Sequence, residues 1–264
     1  FAGMKVCLIG AGRLATNLGK ALVRGGHTIT QVYSRTKESA GKLATLVGGE
    51  FVDNIGEIDN RADIYIFAIK DDALRELVPQ VGRNIKEKVF CHTAGSMPLD
   101  IFQETVCHYG VFYPLQTFSK TREMDFSNIP CFLETNDQTA YSMLHALAKT
   151  VSNRIYDLSS EERKYLHLAA VLACNFVNHC YSLSGEVLAA HGLPFDVMLP
   201  LIEETARKVG EMSPLEAQTG PAVRYDENVI KAQTDLLNHE PYLQEVYRLL
   251  SSGIYQYALQ HSRQ

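Results

Sequence analysis

No apolar run in this sequence approaches the roughly 20 residues that a membrane-crossing helix needs. The longest strongly apolar stretch, Leu166 to Cys174, falls well short, so no membrane partner is expected. Met4-Lys5 runs straight into Val6-Cys7-Leu8-Ile9 and then into glycines. That run is too short for the apolar core of a secretory signal, and Phe1-Ala2-Gly3 is given no structural role. Positive charge is not in excess: 25 Lys and Arg stand against 30 Asp and Glu, a formal net charge of -5. An electrostatic footprint for nucleic acid or an anionic membrane is therefore missing. Cysteines 7, 91, 107, 131, 174 and 180 are scattered singly. Without a C-x-x-C pair, a zinc ribbon or a thioredoxin-like motif has no support. Most sit in apolar runs and read as small buried side chains in a reducing, cytoplasmic compartment. A G-x-S-x-G elbow is absent, as are H-x-x-x-H and H-E-x-x-H pairs. Hydrolase and metalloenzyme readings are poor on that ground, and no metal is expected. Internal repeats and low-complexity segments are also lacking.

What is present is an alternation of short apolar runs and helical patterns. Val6 to Ile9 reads as a strand. Leu14, Leu18, Ala21 and Leu22 then recur at helical spacing, and Gly25-Gly26 stops that helix. Strands are predicted over Thr28 to Tyr33, Glu50 to Val52, Lys88 to His92, Val106 to Phe112, Pro130 to Glu134 and Asn153 to Leu158. Helices are predicted over Thr36 to Leu46, Asp72 to Val81 and Gln138 to Thr150. Ile64 to Ile69 is apolar on both faces, as a central parallel strand covered on both sides should be. This alternation predicts an α/β fold with a doubly wound, mainly parallel sheet over residues 1–158. Beyond Ser159-Ser160 the strand signals stop, and residues 159–264 read as all-helical. Glu161 to Ala190 is one long pattern whose middle is apolar nearly all round, so it should be covered on several sides. Pro194, Pro200 and Pro214 punctuate the chain beyond it. Glu227 to Leu237 and Tyr242 to Leu259 are two more amphipathic helices.

Gly10-Ala11-Gly12-Arg13-Leu14-Ala15 fits G-x-G-x-x-A, and its place between a strand and a helix makes it a dinucleotide fingerprint. Gly10 allows the tight turn, Gly12 the approach of a pyrophosphate, and Ala15 close packing of helix on sheet. The free N–H groups of Arg13, Leu14 and Ala15 would face the phosphates. The end of the second strand selects the coenzyme. NAD enzymes usually place Asp or Glu there for the ribose 2′-hydroxyl. Here Ser34-Arg35-Thr36 offers a guanidinium and two hydroxyls, which suit a 2′-phosphate. NADP is therefore favoured over NAD, with a solvated Arg35 as the alternative.

With these residues assembled, the chain resembles the superfamily of pyrroline-5-carboxylate reductase and 6-phosphogluconate dehydrogenase. Within it, the chain is most similar to an uncharacterised bacterial group of NADP oxidoreductases that joins a Rossmann-like domain to a helical domain of unknown function. The motifs are Gly10 to Ala15, His92 to Ser96, Tyr113 to Phe118, Leu168 to Val171 with Asn175, and Thr219 to Asp226. In that group the last stretch commonly reads Arg-Gly-Asp, whereas Tyr225 stands here in place of the glycine. The resemblance implies NADP binding, a homodimer through the helical domains and an active site between domains. It does not imply a substrate.

Ile69, Lys70, Thr93, Ala94, Gly95 and Tyr113 to Gln116 follow strands, where ligands bind in open α/β sheets. Lys70 lines the nicotinamide side or is a surface lysine. His92 reads better as a satisfied core histidine, and Thr93 and Ser96 line the site or cap a turn. His167, Val171 and Asn175 fall at i, i+4 and i+8, on one helix face. The resembled hydroxyacid dehydrogenases carry a catalytic lysine four residues before the asparagine. Val171 holds that position here, which argues against hydroxyacid oxidation by their mechanism. His167 is then the candidate general acid, Asn175 a candidate for holding a carboxamide or substrate oxygen, and Arg224 a clamp for an anionic group or an interface salt bridge. Asp226 is placed to cap the helix after it. The expected function is hydride transfer between NADP(H) and a small C=O or C=N substrate. The alternative is a non-catalytic NADP-binding redox sensor or interaction module.

Overall fold

The computed structural model describes residues 3–262; Phe1 and Ala2 lie outside the described residues. The first strand, β1 (Lys5–Ile9), is followed by α1 (Arg13–Arg24), β2 (Thr28–Tyr33), α2 (Lys37–Val47), β3 (Glu50–Val52), β4 (Ile64–Phe67), α3 (Asp71–Gly82), β5 (Val89–His92), β6 (His108–Pro114), β7 (Cys131–Thr135), α4 (Gln138–Val151) and β8 (Ile155–Asp157). They form one sheet in the order β3-β2-β1-β4-β5-β6-β7-β8. Strands β1 to β6 pair in parallel, β7 runs antiparallel to β6, and β8 lies parallel to β7. The strand order reverses between β1 and β4, which opens a crevice at their carboxyl ends.

Each face of the sheet has its own core. Leu8, Leu18, Leu22, Ile66 and Leu147 pack on the side covered by α1, α2 and α4. On the other side Tyr65, Phe67, Phe90 and Phe102 form a chain of ring contacts beneath α3. Both faces of β4 are thus covered, and all four of its residues are buried.

The predicted single helix from Glu161 to Ala190 is divided. It comprises α5 (Ser160–Ala170), a π-helical turn over Val171–Phe176, and α6 (Val177–Ala190). Ser159 and Glu162 close a capping box at its start. The extra residue of a π turn shifts the helical phase beyond Val171. By their contacts the residues divide into two compact units, one ending at Asn175 and one beginning at Phe176. Helix α5 falls in the first unit. Arg163 ties it to the sheet: its side chain is 1% exposed and bonds to Glu134 on β7 and to the Met97 carbonyl.

The second unit continues through α7 (Leu199–Glu211), a short α8 (Pro214–Ala217), α9 (Glu227–Leu236) and α10 (Pro241–Ser262). Among its described residues only Leu183, Leu188 and Ala222 are buried hydrophobics, while Leu236 is 82% and Leu249 74% exposed. Leu168, Leu172 and Phe176 on the long helix are exposed as well, in contrast to the covering expected for its middle. Asp226 stands at the start of α9 but makes no side-chain capping bond. Beside it Tyr225 has φ 53°, the left-handed region that favours glycine, and its ring rests on Tyr255 at 4.7 Å. Tyr225→Gly trades about 1–2 kcal/mol of backbone strain against about 0.5–1.5 kcal/mol of ring contact. Tyr225→Ala loses the ring and keeps the strain. Denaturant titration is expected to find the alanine variant less stable than the glycine variant by about 1 kcal/mol. Equal stabilities overturn the assignment of strain.

Candidate active site

A cavity of about 1190 Å³ opens in the first unit, larger than the roughly 300–1,000 Å³ typical of a small-molecule site. One end is built on the β1–α1 turn. Gly10 has φ 118°, and a Cβ there would lie 2.2 Å from the Ala68 carbonyl oxygen, so only glycine fits. Gly12 has nothing within 4 Å of its virtual Cβ. Its free side faces open space, just where α1 begins without a side-chain cap. The first-turn amides of Arg13, Leu14 and Ala15 have no intrahelical partners by geometry, and they make a cradle for an anion. Gly12, Arg13 and Leu14 line the cavity, while Ala15 is fully buried behind them.

Ser34, Arg35 and Thr36, at the end of β2, line the cavity too. The Thr36 amide donates to Ser34 Oγ at 3.2 Å. Arg35 is exposed and pairs with Glu76 on α3 at 3.1 Å. Among these residues a guanidinium, two hydroxyls and several unpaired amides fit a dinucleotide with a phosphate on its ribose.

Ile69, Lys70, Thr93, Ala94 and Gly95 complete this wall. Lys70 is exposed at the start of α3. Thr93 is buried, with its amide on the Phe67 carbonyl at 3.3 Å. Ser96 Oγ donates to Asp71 Oδ2 at 2.6 Å, which ties the loop to α3. His92 holds the same loop from beneath. Its Nδ1 accepts the Ala94 amide at 3.1 Å, so Nε2 carries the hydrogen that goes to the Pro98 carbonyl at 3.0 Å. Burial pushes its pKa down to about 4, and it stays a neutral structural group.

The far wall carries Tyr113, Leu115 and Gln116 from the end of β6, and His167, Ala170, Ala173, Cys174 and Asn175 from the long helix. His167 and Asn175 are therefore brought to the cavity, while Val171 is not among its lining residues. Tyr113 Oη lies 3.2 Å from His167 Nδ1, with the rings edge to face. Burial raises the Tyr113 pKa, and the charge of the nearby Arg163 partly opposes it. Arg224 belongs to the second unit, where it is exposed. Sequence reasoning placed Tyr113 near the nicotinamide without its His167 contact, read Cys174 as a small buried side chain, and overlooked Arg163. Tyr113 ends a strand at the ligand edge of the sheet, a signal that was there to use. Arg163 precedes His167 by four residues, on the same helical face.

The cysteines are less uniform than their apolar context predicts. Cys7, Cys91 and Cys131 are buried, Cys107 and Cys180 are exposed, and Cys174 reaches the cavity. Burial raises the pKa of the first three, which leaves them inert. Among the described residues, no group of three His, Cys, Asp or Glu side chains is placed to hold a metal ion. Nor is any helix there long and apolar enough to cross a membrane.

Comparison with known proteins gives these features a family. Residues 5–94 match the family described as NADP oxidoreductase coenzyme F420-dependent, and residues 129–254 match a domain of unknown function, DUF2520. The crystal structure of a putative NADP oxidoreductase from Bacteroides fragilis is 52% identical over 96% of this chain and 98% of that one, with a TM-score of 0.93. The chain belongs to this NADP oxidoreductase family. Two more distant structures share its fold. One is an imine reductase from Myxococcus stipitatus in complex with NADP+, 17% identical over 98% of this chain and 94% of that one, with a TM-score of 0.62. The other is 1-pyrroline-5-carboxylate reductase from Streptococcus pyogenes, 13% identical over 96% and 99%, with a TM-score of 0.64. A search of curated proteins matches none to this chain. In this NADP oxidoreductase the DUF2520 match begins at β7 and α4, so the second family segment starts within the sheet.

Proposed function

We propose that the protein binds NADP(H) in the β1–α1 cavity and exchanges a hydride with a small C=O or C=N substrate held against the β6 and α5 wall. The observation that carries this reading is the open space over Gly12, facing the uncapped first turn of α1, with Arg35 at the same cavity. When bound, the coenzyme supplies the two electrons as hydride. The chain's own residues do the rest. Amides of α1 hold the pyrophosphate, Ser34, Arg35 and Thr36 hold the 2′-phosphate, and the His92-braced loop from Thr93 to Ser96 shapes the nicotinamide end. Asn175 is free to orient a carboxamide or a substrate oxygen. The imine reductase and the S. pyogenes reductase of a pyrroline support the C=N alternative by analogy of fold.

The partner is a second copy of the chain. Exposed Leu236, Leu249, Leu250, Tyr257 and Leu259 give the second unit an apolar surface too extensive for a monomer in water. Arg224, exposed and without a side-chain bond among the described residues, is available to an anionic group or to an interface salt bridge. Six free cysteines favour a reducing compartment, the cytoplasm. The sensor alternative rested on a thin acid–base set, and the Tyr113–His167 contact weighs against it.

Gly12→Ala tests the reading directly. The added methyl meets no protein atom, so the thermal midpoint should match that of the parent. Calorimetric NADPH affinity should fall about 100-fold, equivalent to one lost charge-assisted bond of about 1.5–3 kcal/mol. Unchanged affinity removes the pyrophosphate from this turn. Oxidation of NADPH across keto acids and cyclic imines then separates enzyme from sensor, since tight binding without turnover favours the sensor.

A further inference from the structure

We propose that Tyr113 is the proton donor to the substrate, that His167 re-protonates it, and that the pair suits the site to a neutral carbonyl. The proposal rests on the coenzyme reading above. Tyr113 ends β6 at the carboxyl edge of the sheet and reaches the cavity. Its Oη is 3.2 Å from His167 Nδ1. Gly95 closes over the pair: a Cβ there would lie 2.5 Å from His167 Nδ1 and 3.0 Å from Tyr113 Cζ. The loop backbone thus seals the contact and leaves no room for another side chain at that point. Elsewhere on the cavity, Arg13, Tyr33 and Arg35 belong to the α1 and β2 side, and Asp71 is engaged by Ser96 beside Lys70. Cys174 is the remaining titratable group on the helix wall. Arg163 acts on Tyr113 through its charge from within α5.

Reduction of a neutral C=O needs one proton for the two electrons delivered as hydride. The Tyr113 O–H bond breaks as the new O–H bond forms on the substrate. The phenolate oxygen takes the Nδ1 proton of an imidazolium at His167, which solvent then restores. The reduced nicotinamide coenzyme ends as NADP+. An N-alkylated cyclic iminium already bears its charge and needs no proton.

Tyr113→Phe and His167→Gln separate these roles. Calorimetry should find NADPH bound by the parent and by Tyr113→Phe with affinities within about twofold. Turnover of a neutral ketone or aldehyde by Tyr113→Phe should fall by about 10²–10⁴, the usual worth of general acid catalysis. Reduction of the N-alkylated iminium should stay within about threefold of the parent. His167→Gln should lower carbonyl turnover by about 10-fold or more while iminium reduction stays within about threefold of the parent. Carbonyl turnover by Tyr113→Phe within about threefold of the parent, equal losses for carbonyl and iminium, or no carbonyl turnover by an NADPH-binding parent each overturn the proposal. Failure of the parent to bind NADPH overturns the coenzyme reading itself, and calorimetry reports it separately.

Discussion

Arg163→Ala is expected to destabilise the protein by about 3–5 kcal/mol, the usual cost of breaking a buried ion pair from one side. The guanidinium is 1% exposed and joins three segments of the first unit. Nη1 donates to Glu134 Oε2 at 2.7 Å and Nη2 to the Met97 carbonyl at 2.5 Å, while Ser160 Oγ lies 3.4 Å from Nη2. Nε has no partner, so the charge is held without full satisfaction and its net worth is modest. Removing it is another matter, because Glu134 then keeps a largely buried charge with only Ser160 Oγ to donate to it, at 2.7 Å. Arg163→Met combined with Glu134→Leu removes both charges and should recover much of the loss. Urea titration of the single and double variants measures both effects. A single variant within about 1 kcal/mol of the parent would show that the pair is not structural. Loss of Arg163 also removes the charge that opposes the burial-raised pKa of Tyr113.

The sheet was legible because its strands carry their own evidence. Ile64 to Phe67 is apolar on both faces, and Gly10 to Ala15 sits between a strand and a helix, so both the fold class and the coenzyme end of the cavity follow from local pattern. What the pattern does not carry is orientation. The link from β6 to β7, between Pro114 and Cys131, holds no crossover helix, and that is why β7 can run antiparallel; apolar content alone does not reveal it. Pro200 reads as a break, yet it stands in the first turn of α7, where a missing N–H costs nothing. The π turn at Val171–Phe176 has no sequence signature of its own, and plain helical spacing assigns Val171 to a cavity that it does not line. Tyr113 and His167 meet across 54 positions, a contact that no local spacing encodes. The exposed leucines of α9 and α10 show the reverse case: the amphipathic pattern was readable, yet its apolar side stands open in the structure.

Arg35→Asp should reverse the coenzyme preference. In the structure Arg35 pairs with Glu76 at 3.1 Å, with both side chains more than 60% exposed, so the pair itself is worth no more than about 1 kcal/mol. A 2′-phosphate offers the same guanidinium charge-assisted bonds of about 1.5–3 kcal/mol each, enough to displace Glu76. An aspartate at position 35 removes those bonds and sets a second carboxylate near Glu76, where it repels the phosphate. The same aspartate accepts from a free ribose 2′-hydroxyl, as the acidic residue of NAD enzymes does. Calorimetric NADPH affinity should therefore fall about 10²–10³-fold, while NADH affinity stays within about threefold or improves. Glu76→Gln should act in the opposite sense and tighten NADPH a few-fold, because it frees Arg35 and removes a negative charge from the phosphate side. Equal losses of both coenzymes in Arg35→Asp would take the 2′-phosphate away from this residue, and the exposed ion pair would then be only a solvated link between β2 and α3.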